Sequence, residues 1–380
     1  MQFCSKCLTS IPLQDQEIID LIKREYLKDQ TPWYIGYSGG KDSSALLVLV
    51  INALFGMERY DRKVTVIYCD TGVENPIITG YVYNTFSLLL AECQNLEIPI
   101  EFKIVKPDLK DRFFVKVIGR GYPTPTNIFR WCTNSLRINP VKKIIDSNSK
   151  AIILLGVRSG ESVQRDRTLS KHKATDNFYL KQANSNKKLI FAPILNYEVS
   201  DVWSVLKFKS IPASIDHEVI GKLYKDAGSE CPVYRESKGT PCGKGRFGCW
   251  TCTVVRKDKS MEKMIENGYD SLEPLFRFRN WIAEFRDNPL YRCTFRRNGK
   301  KGPGPITLEG RKIILEKLLE LEKETKIKLI EDEEIDLIYR YWKIDYDNIQ
   351  YVEPSNLVRT TGLIPAYCCV SQPSQLSSLN

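Results

Sequence analysis

The stretch Trp33-Tyr-Ile-Gly-Tyr37-Ser-Gly-Gly-Lys-Asp-Ser43 constrains the fold more than any other part of the sequence. Its first five residues are apolar or aromatic and read as a short buried strand. Gly39 and Gly40 then allow a tight turn, and the apolar run from Ala45 reads as a helix ending near Gly56. A strand that feeds a glycine turn opening a helix presents unpaired backbone N–H groups and the positive end of the helix dipole at one point. Such a point is a cradle for phosphate. Lys41 adds positive charge, and Ser38 and Ser43 add hydroxyls. The Walker A spacing, G-x-x-x-x-G-K-[ST], is absent, so this is not an ordinary ATPase loop.

The same rhythm continues along the chain. Val64-Thr-Val-Ile-Tyr-Cys69, Ile100 to Val105, Ala151-Ile-Ile-Leu-Leu-Gly156 and Leu189-Ile-Phe-Ala-Pro193 read as further strands, with helices over about 76–94 and after Ser200-Asp201. Buried strands alternating with helices imply an α/β fold with a doubly wound parallel sheet. The expected organisation is a helical lead-in over 1–30, the α/β domain over 31–220, a Cys-rich basic segment over 221–305 that binds a metal, and a helical C-terminal region with a tail over 306–380. Within the last two regions, residues 261–290 and Thr307 to about Lys328 read as helical.

In open α/β sheets ligands bind at the carboxyl ends of the strands. Three such ends are polar here: Ser38 to Ser43, Asp70-Thr-Gly72-Val-Glu74, and Arg158 to Glu161. Asp42, Asp70 and Glu74 are candidate Mg²⁺ ligands beside nucleotide phosphates. Arg158 and Arg165 are candidates for bidentate phosphate contacts. Together these groups predict a nucleotide site.

Charge and cysteine content point to the middle of the chain. Residues 231–301 hold 16 Lys/Arg against 8 Asp/Glu, whereas 302–380 hold 9 against 13. A basic stretch favours polyanions such as nucleic acid. Within it Cys231, Cys242, Cys249 and Cys252 form a compact thiol set, fit for structural Zn²⁺ or a [4Fe–4S] cluster. Cys132 is a candidate fifth partner. Cys93 and Cys69 read as small apolar side chains. Cys4/Cys7 and Cys368/Cys369 are assigned no role. The longest apolar run, 45–55, is too short to cross a bilayer, and MQFCSKCLTS shows no secretory pattern, so a cytoplasmic protein is expected.

These motifs are recognisable as a set. Ser38-Gly-Gly-Lys-Asp-Ser43 resembles the PP-loop of the ATP pyrophosphatases, whose fold is of the adenine nucleotide alpha hydrolase type. Asp70-Thr-Gly and Arg130-x-Cys132-x(4)-Arg137-x-x-Pro140 resemble the PAPS and APS reductase branch. Cys231-Pro-Val, Cys242-Gly, Arg246-Phe-Gly-Cys-Trp-Thr-Cys-Thr-Val-Val255 and Arg297-Asn-Gly-Lys-Lys-Gly-Pro-Gly-Pro305 are similar to the DNA phosphorothioation sulfurtransferases of the DndC type. The likeness covers about residues 33–319.

This resemblance implies ATP cleavage to AMP and pyrophosphate, an iron–sulfur cluster, and replacement of a non-bridging phosphate oxygen of DNA by sulfur. The sulfur would come from a cysteine desulfurase partner, alongside other phosphorothioation subunits. Residues 38–43 would bind the pyrophosphate portion of ATP, and Cys231, Cys242, Cys249 and Cys252 match the cluster region. The catalytic candidates are Lys41, Asp42, Asp70, Cys132 and Arg158. Gly72 and Arg165 join the nucleotide set. Arg246, Arg256, Arg296, Arg297, Lys300 and Lys301 are candidates for the DNA backbone. Three other readings stand beside this one: a PAPS or APS reductase, a tRNA thiolation enzyme, and a zinc-bound DNA-binding subunit with a vestigial loop.

Overall fold

The structure is a computed structural model that describes residues 12–147, 150–160, 178–181, 188–228 and 247–350. Its contacts divide the chain into two compact units. One comprises Met1–Asp70, Asn75–Val105 and Pro140–Phe247, the other Thr71–Glu74, Lys106–Asn139 and Gly248–Asn380.

The first unit is built on a six-stranded sheet. Strands β1 (Trp33–Tyr37), β2 (Val64–Cys69), β3 (Ile100–Val105), β4 (Ala151–Leu155), β5 (Tyr179–Lys181) and β6 (Lys188–Phe191) lie in the order β3-β2-β1-β4-β6-β5. All pairings are parallel except that of β5 with β6. The chain first builds outward from β1 to β3 and then returns to place β4 on the other side of β1. The β1–β4 boundary is therefore the topological switch point, where open sheets of this kind leave a crevice.

Strand periodicity sorts the core into two layers. Trp33, Ile35 and Tyr37 join α1 (Leu13–Leu27), α2 (Lys41–Leu54), α3 (Pro76–Asn95) and α5 (Val199–Phe208) in the main hydrophobic cluster. Tyr34, Ile67 and Ile153 turn to the other face, where Ile145 of α4 (Asn139–Asp146) covers them. Helix α2 is buried along nearly its whole length, as a helix apolar on every side must be. The helix expected after Ser200-Asp201 begins earlier, at Val199; the Asp201 carboxylate accepts the Glu198 N–H at 2.8 Å. Among the described residues the last helix of this unit is α6 (His217–Asp226), capped by Asp216.

The second unit is helical and aromatic. It contains α7 (Lys259–Glu266), α8 (Glu273–Phe285), α9 (Leu308–Thr325) and α10 (Asp332–Gln350). The helical reading of 261–290 is thus split in two, and α9 starts from its Thr307 cap. Phe114, Trp250 and Phe278 pack in series, with ring centroids 6.0 and 5.7 Å apart. Two π-helical segments, Val115–Gly119 and Thr133–Ile138, lie here. The first is closed from outside: Arg311 Nη1 donates to Gly119 O at 2.7 Å and Trp342 Nε1 to Ile118 O at 2.8 Å. Among the described residues no helix is long and apolar enough to cross a membrane.

Candidate nucleotide and thiol sites

In the first unit the loop 38–43 leaves β1 and opens α2 at the switch point. Gly39 sits at φ +73°, and a β-carbon there would overlap Val82 Cγ2 of α3, so only glycine fits. Ser43 closes the turn internally. Its hydroxyl donates to Gly40 O at 2.9 Å and accepts the Ser38 N–H at 3.2 Å. The Ser38 hydroxyl lies 3.1 Å from the Ser43 hydroxyl and its residue is exposed. Ser43 thus shapes the loop, and Ser38 is the hydroxyl that faces outward. Among the described residues the N–H groups of Gly39, Asp42 and Ser43 find no protein acceptor, as expected at a helix start.

Charged groups are fixed around this turn. Arg158, which follows β4 and is 5% exposed, donates through Nε to Asp42 Oδ1 at 2.5 Å and through Nη1 to Tyr197 O at 3.3 Å. Lys41 Nζ pairs with Asp42 Oδ2 at 3.2 Å and lies 5.1 Å from the Tyr224 ring centroid. The Lys41 N–H donates to the Tyr224 hydroxyl at 3.2 Å. Asp42 therefore holds two cations at the mouth of the loop. Gly156 makes the geometry feasible, because a β-carbon there would stand 2.6 Å from Asp42 O and 2.8 Å from its carbonyl carbon.

Asp70, at the end of neighbouring β2, is buried and accepts the Tyr83 hydroxyl at 2.8 Å. Burial and this carboxylate push the Tyr83 hydroxyl well above its ordinary pKa, so it remains a donor at any physiological pH. The sequence singled out Lys41, Asp42, Asp70 and Arg158, and the sheet places all four at the carboxyl ends of adjacent strands. It gave no sign of Tyr83, Tyr197 or Tyr224, which come from distant helices or turns. Gly156 was legible only as the end of a strand. Arg165 lies outside the described residues.

Glu74, the third candidate Mg²⁺ ligand, has protein partners of its own. It belongs to the second unit, accepts from Arg137 Nη2 at 2.9 Å and from Thr71 Oγ1 at 3.1 Å, and forms an isolated β-bridge with Cys249. Gly72, expected in the nucleotide set, also lies in this unit, exposed and at φ +74°.

Glu74 and Arg137 flank a group of thiols. Cys249 Sγ lies 3.7 Å from Thr71 Oγ1 and 3.8 Å from Arg137 Nη2. Burial, then the Glu74 charge, pushes its pKa up to about 12, with Arg137 opposing. The Cys132 thiol is raised by burial and next by the charge of Cys252, so these two thiols share one electrostatic neighbourhood. Buried Arg279 anchors the Cys249–Cys252 turn from below, donating to Cys252 O at 2.8 Å and to the carbonyls of Val255 and Arg256. Cys93 is buried as expected. Cys293 is buried too.

Thiols are the right donor class for zinc or an iron–sulfur cluster. Among the described residues, however, no three His, Cys, Asp or Glu side chains are placed to hold a metal ion. The other candidates, Cys231 and Cys242, lie outside the described residues.

Of the residues expected to meet DNA, Arg256, Arg296, Lys300 and Lys301 are exposed on the second unit. Arg297 is half-buried, with its guanidinium 4.8 Å from the Tyr122 ring centroid and a hydrogen bond to Arg120 O. Arg246 lies outside the described residues.

A family model for the phosphoadenosine phosphosulfate reductase domain matches residues 32–255. The chain belongs to this family. As a reductase-domain family member it is an enzyme with a PP-loop nucleotide-binding domain, and the mostly parallel sheet agrees with that. Two uncharacterized proteins of Methanocaldococcus jannaschii are similar to it. One is 27% identical over 244 residues, covering 63% of this chain and 40% of that protein. The other is 24% identical over 284 residues, covering 70% and 56%. The chain thus spans about half the length of these relatives. Among solved structures, the PAPS reductase of Candida auris is 11% identical with a TM-score of 0.35, covering 59% of this chain and 94% of its own. The U34-tRNA thiolase NcsA of Methanococcus maripaludis, solved with its [4Fe–4S] cluster, is 15% identical with a TM-score of 0.36, covering 75% and 80%.

Proposed function

We propose that the chain is an ATP pyrophosphatase that transfers sulfur to the backbone of DNA. The observation that carries the nucleotide half is the clamp of Lys41 and Arg158 on Asp42 at the mouth of the β1 loop. It supplies fixed cations beside a helix N-terminus, which suits departing pyrophosphate. The DNA half is supported by the ordered motifs through Arg297-Asn-Gly-Lys-Lys-Gly-Pro-Gly-Pro305 and by the exposed cations among them.

In this reading a non-bridging oxygen of a DNA phosphate attacks the α-phosphorus of ATP. The bond from that phosphorus to the β-phosphate oxygen breaks, and pyrophosphate leaves against the loop N–H groups and Lys41. The DNA phosphate now carries AMP, a far better leaving group than oxide. A persulfide on Cys132, charged by a cysteine desulfurase, attacks the DNA phosphorus through its outer sulfur and AMP departs. The thiolate of Cys252 then attacks the Cys132 sulfur, releasing phosphorothioate DNA and leaving a Cys132–Cys252 disulfide. An external dithiol reduces it.

Product analysis tests the nucleotide half. Incubation with ATP, DNA, cysteine and a cysteine desulfurase is expected to yield AMP and pyrophosphate, with loss of about 100-fold or more in Lys41→Ala. Formation of ADP and phosphate, or sulfite release from a sulfonucleotide, would replace this reading.

A further inference from the structure

Ile128 is 99% exposed and Phe129 44% exposed, side by side at the tip of a loop in the second unit. The loop is braced. Thr126 N–H donates to Phe129 O at 3.2 Å, Phe129 N–H donates to Thr126 Oγ1 at 3.0 Å, and Trp131 Nε1 reaches Pro123 O at 2.9 Å. Pro125 O accepts from Thr253 Oγ1 at 2.7 Å and from Arg286 Nη1 at 3.2 Å. The Phe129 ring stacks on Tyr122, with centroids 6.4 Å apart and planes at 14°. Tyr122 is in turn fixed by the edge of Trp131 at 5.7 Å and by the Arg297 guanidinium. The two apolar side chains are therefore presented to solvent by a stiff support.

The surroundings select what they meet. Residues 112–131 and 288–308 hold nine Lys/Arg and no Asp or Glu. Arg297 and the Ile306 N–H, which donates to Gly121 O at 2.7 Å, join the two segments. Arg112 and Lys116 pair with Glu334 and Asp111 from outside them. Arg130, Arg296, Lys300 and Lys301 are exposed, with no carboxylate partner among the described residues. A polyanion suits those cations, and a flat apolar face suits Phe129. Nucleic acid with an unstacked base offers both.

We infer that Ile128 and Phe129 form a stacking wedge for unpaired DNA, with Arg130, Arg296, Lys300 and Lys301 holding the adjoining phosphates. This deepens the proposed DNA substrate and rests on it: an intact duplex hides its base faces, so the wedge directs the enzyme to single-stranded or locally opened DNA. Phosphate contacts alone bind either form.

Fluorescence anisotropy with the full chain, a labelled 20-nucleotide single strand and its duplex tests the wedge. The single strand is expected to bind more tightly than the duplex, and Phe129→Ala to weaken it about tenfold. Phe129→Trp should restore binding, and the affinity for ATP measured without DNA should stay unchanged. Equal binding of single strand and duplex, or wild-type affinity in both Phe129→Ala and Ile128→Ser, would overturn the inference. So would loss of self-association, rather than of DNA binding, in those variants, since the patch would then serve a second copy. Phe129-dependent binding without sulfur transfer would leave the wedge standing and remove the proposed function. Sulfur transfer that ignores Phe129 would do the reverse.

Discussion

Arg158 donates to Asp42 at 2.5 Å, tying the turn after β4 to the first turn of α2. Both side chains are largely buried, and the bond spans the switch point of the sheet. It fixes where the loop's positive groups stand before any nucleotide arrives.

Removing one partner of a buried pair costs roughly 3–5 kcal/mol. Arg158→Ala should fall at the low end, about 3 kcal/mol, because Lys41 still faces Asp42. Pyrophosphate release should drop about 100-fold. The double variant with Asp42→Asn should lose less stability than the sum of the single losses. Denaturant melts and pyrophosphate assays on the four proteins check both; strict additivity would show that the pair does not act as one.

Gly156→Ala places a methyl against the backbone of Asp42, where no side chain can move aside. The end of β4 must then part from α2, at a cost of about 1–3 kcal/mol. ATP affinity should fall while the circular dichroism of the sheet is kept. Unchanged affinity, measured by calorimetry, would mean that the loop does not depend on this contact.

The legible parts of the fold were those with a local signature. The first three strands lie where the sequence reading placed them, because each is an apolar run that ends in a glycine, an aspartate or a polar turn. Three-residue β5 carries too little pattern to be seen. The π-helices at Val115–Gly119 and Thr133–Ile138 follow neither helical nor strand periodicity, and one depends on Arg311 and Trp342 from about two hundred residues away. The site was legible to the same degree. Lys41, Asp42 and Arg158 stand at strand ends, whereas Tyr197 and Tyr224 reach them only through tertiary packing. Glu74 was read from its place after a strand, whereas its partner Arg137 lies 63 residues further on, beyond any local pattern.

Cys93, buried in α3, has its thiol pushed up to about 12 by burial and then by Glu92. An acid with a raised folded pKa stabilises the protein below the unfolded value near 9, and that contribution is lost as pH rises from about 9 toward 12. By pH ~10.5 wild type should lose about 2 kcal/mol relative to Cys93→Ala. Urea melts of both proteins between pH ~8 and ~10.5 test this; parallel curves would place the thiol in contact with water.

DNA affinity should fall steeply with salt if Arg256, Arg296, Lys300 and Lys301 meet phosphates. Each cation removed should flatten the log–log slope by about 0.7 on a single strand. A flat response in the wild type would remove these residues from the interface.

Sulfur transfer to the DNA backbone is measured by following labelled sulfur into the DNA. The chain, ATP, Mg²⁺, DNA, a cysteine desulfurase with labelled cysteine and a dithiol would be combined, and the DNA digested to nucleotides for mass spectrometry. Phosphorothioate-linked dinucleotides are expected, with one pyrophosphate released for each and both lost in Lys41→Ala. Labelled sulfur on a base, as sulfite, or nowhere in the DNA while pyrophosphate accumulates would contradict transfer to the backbone.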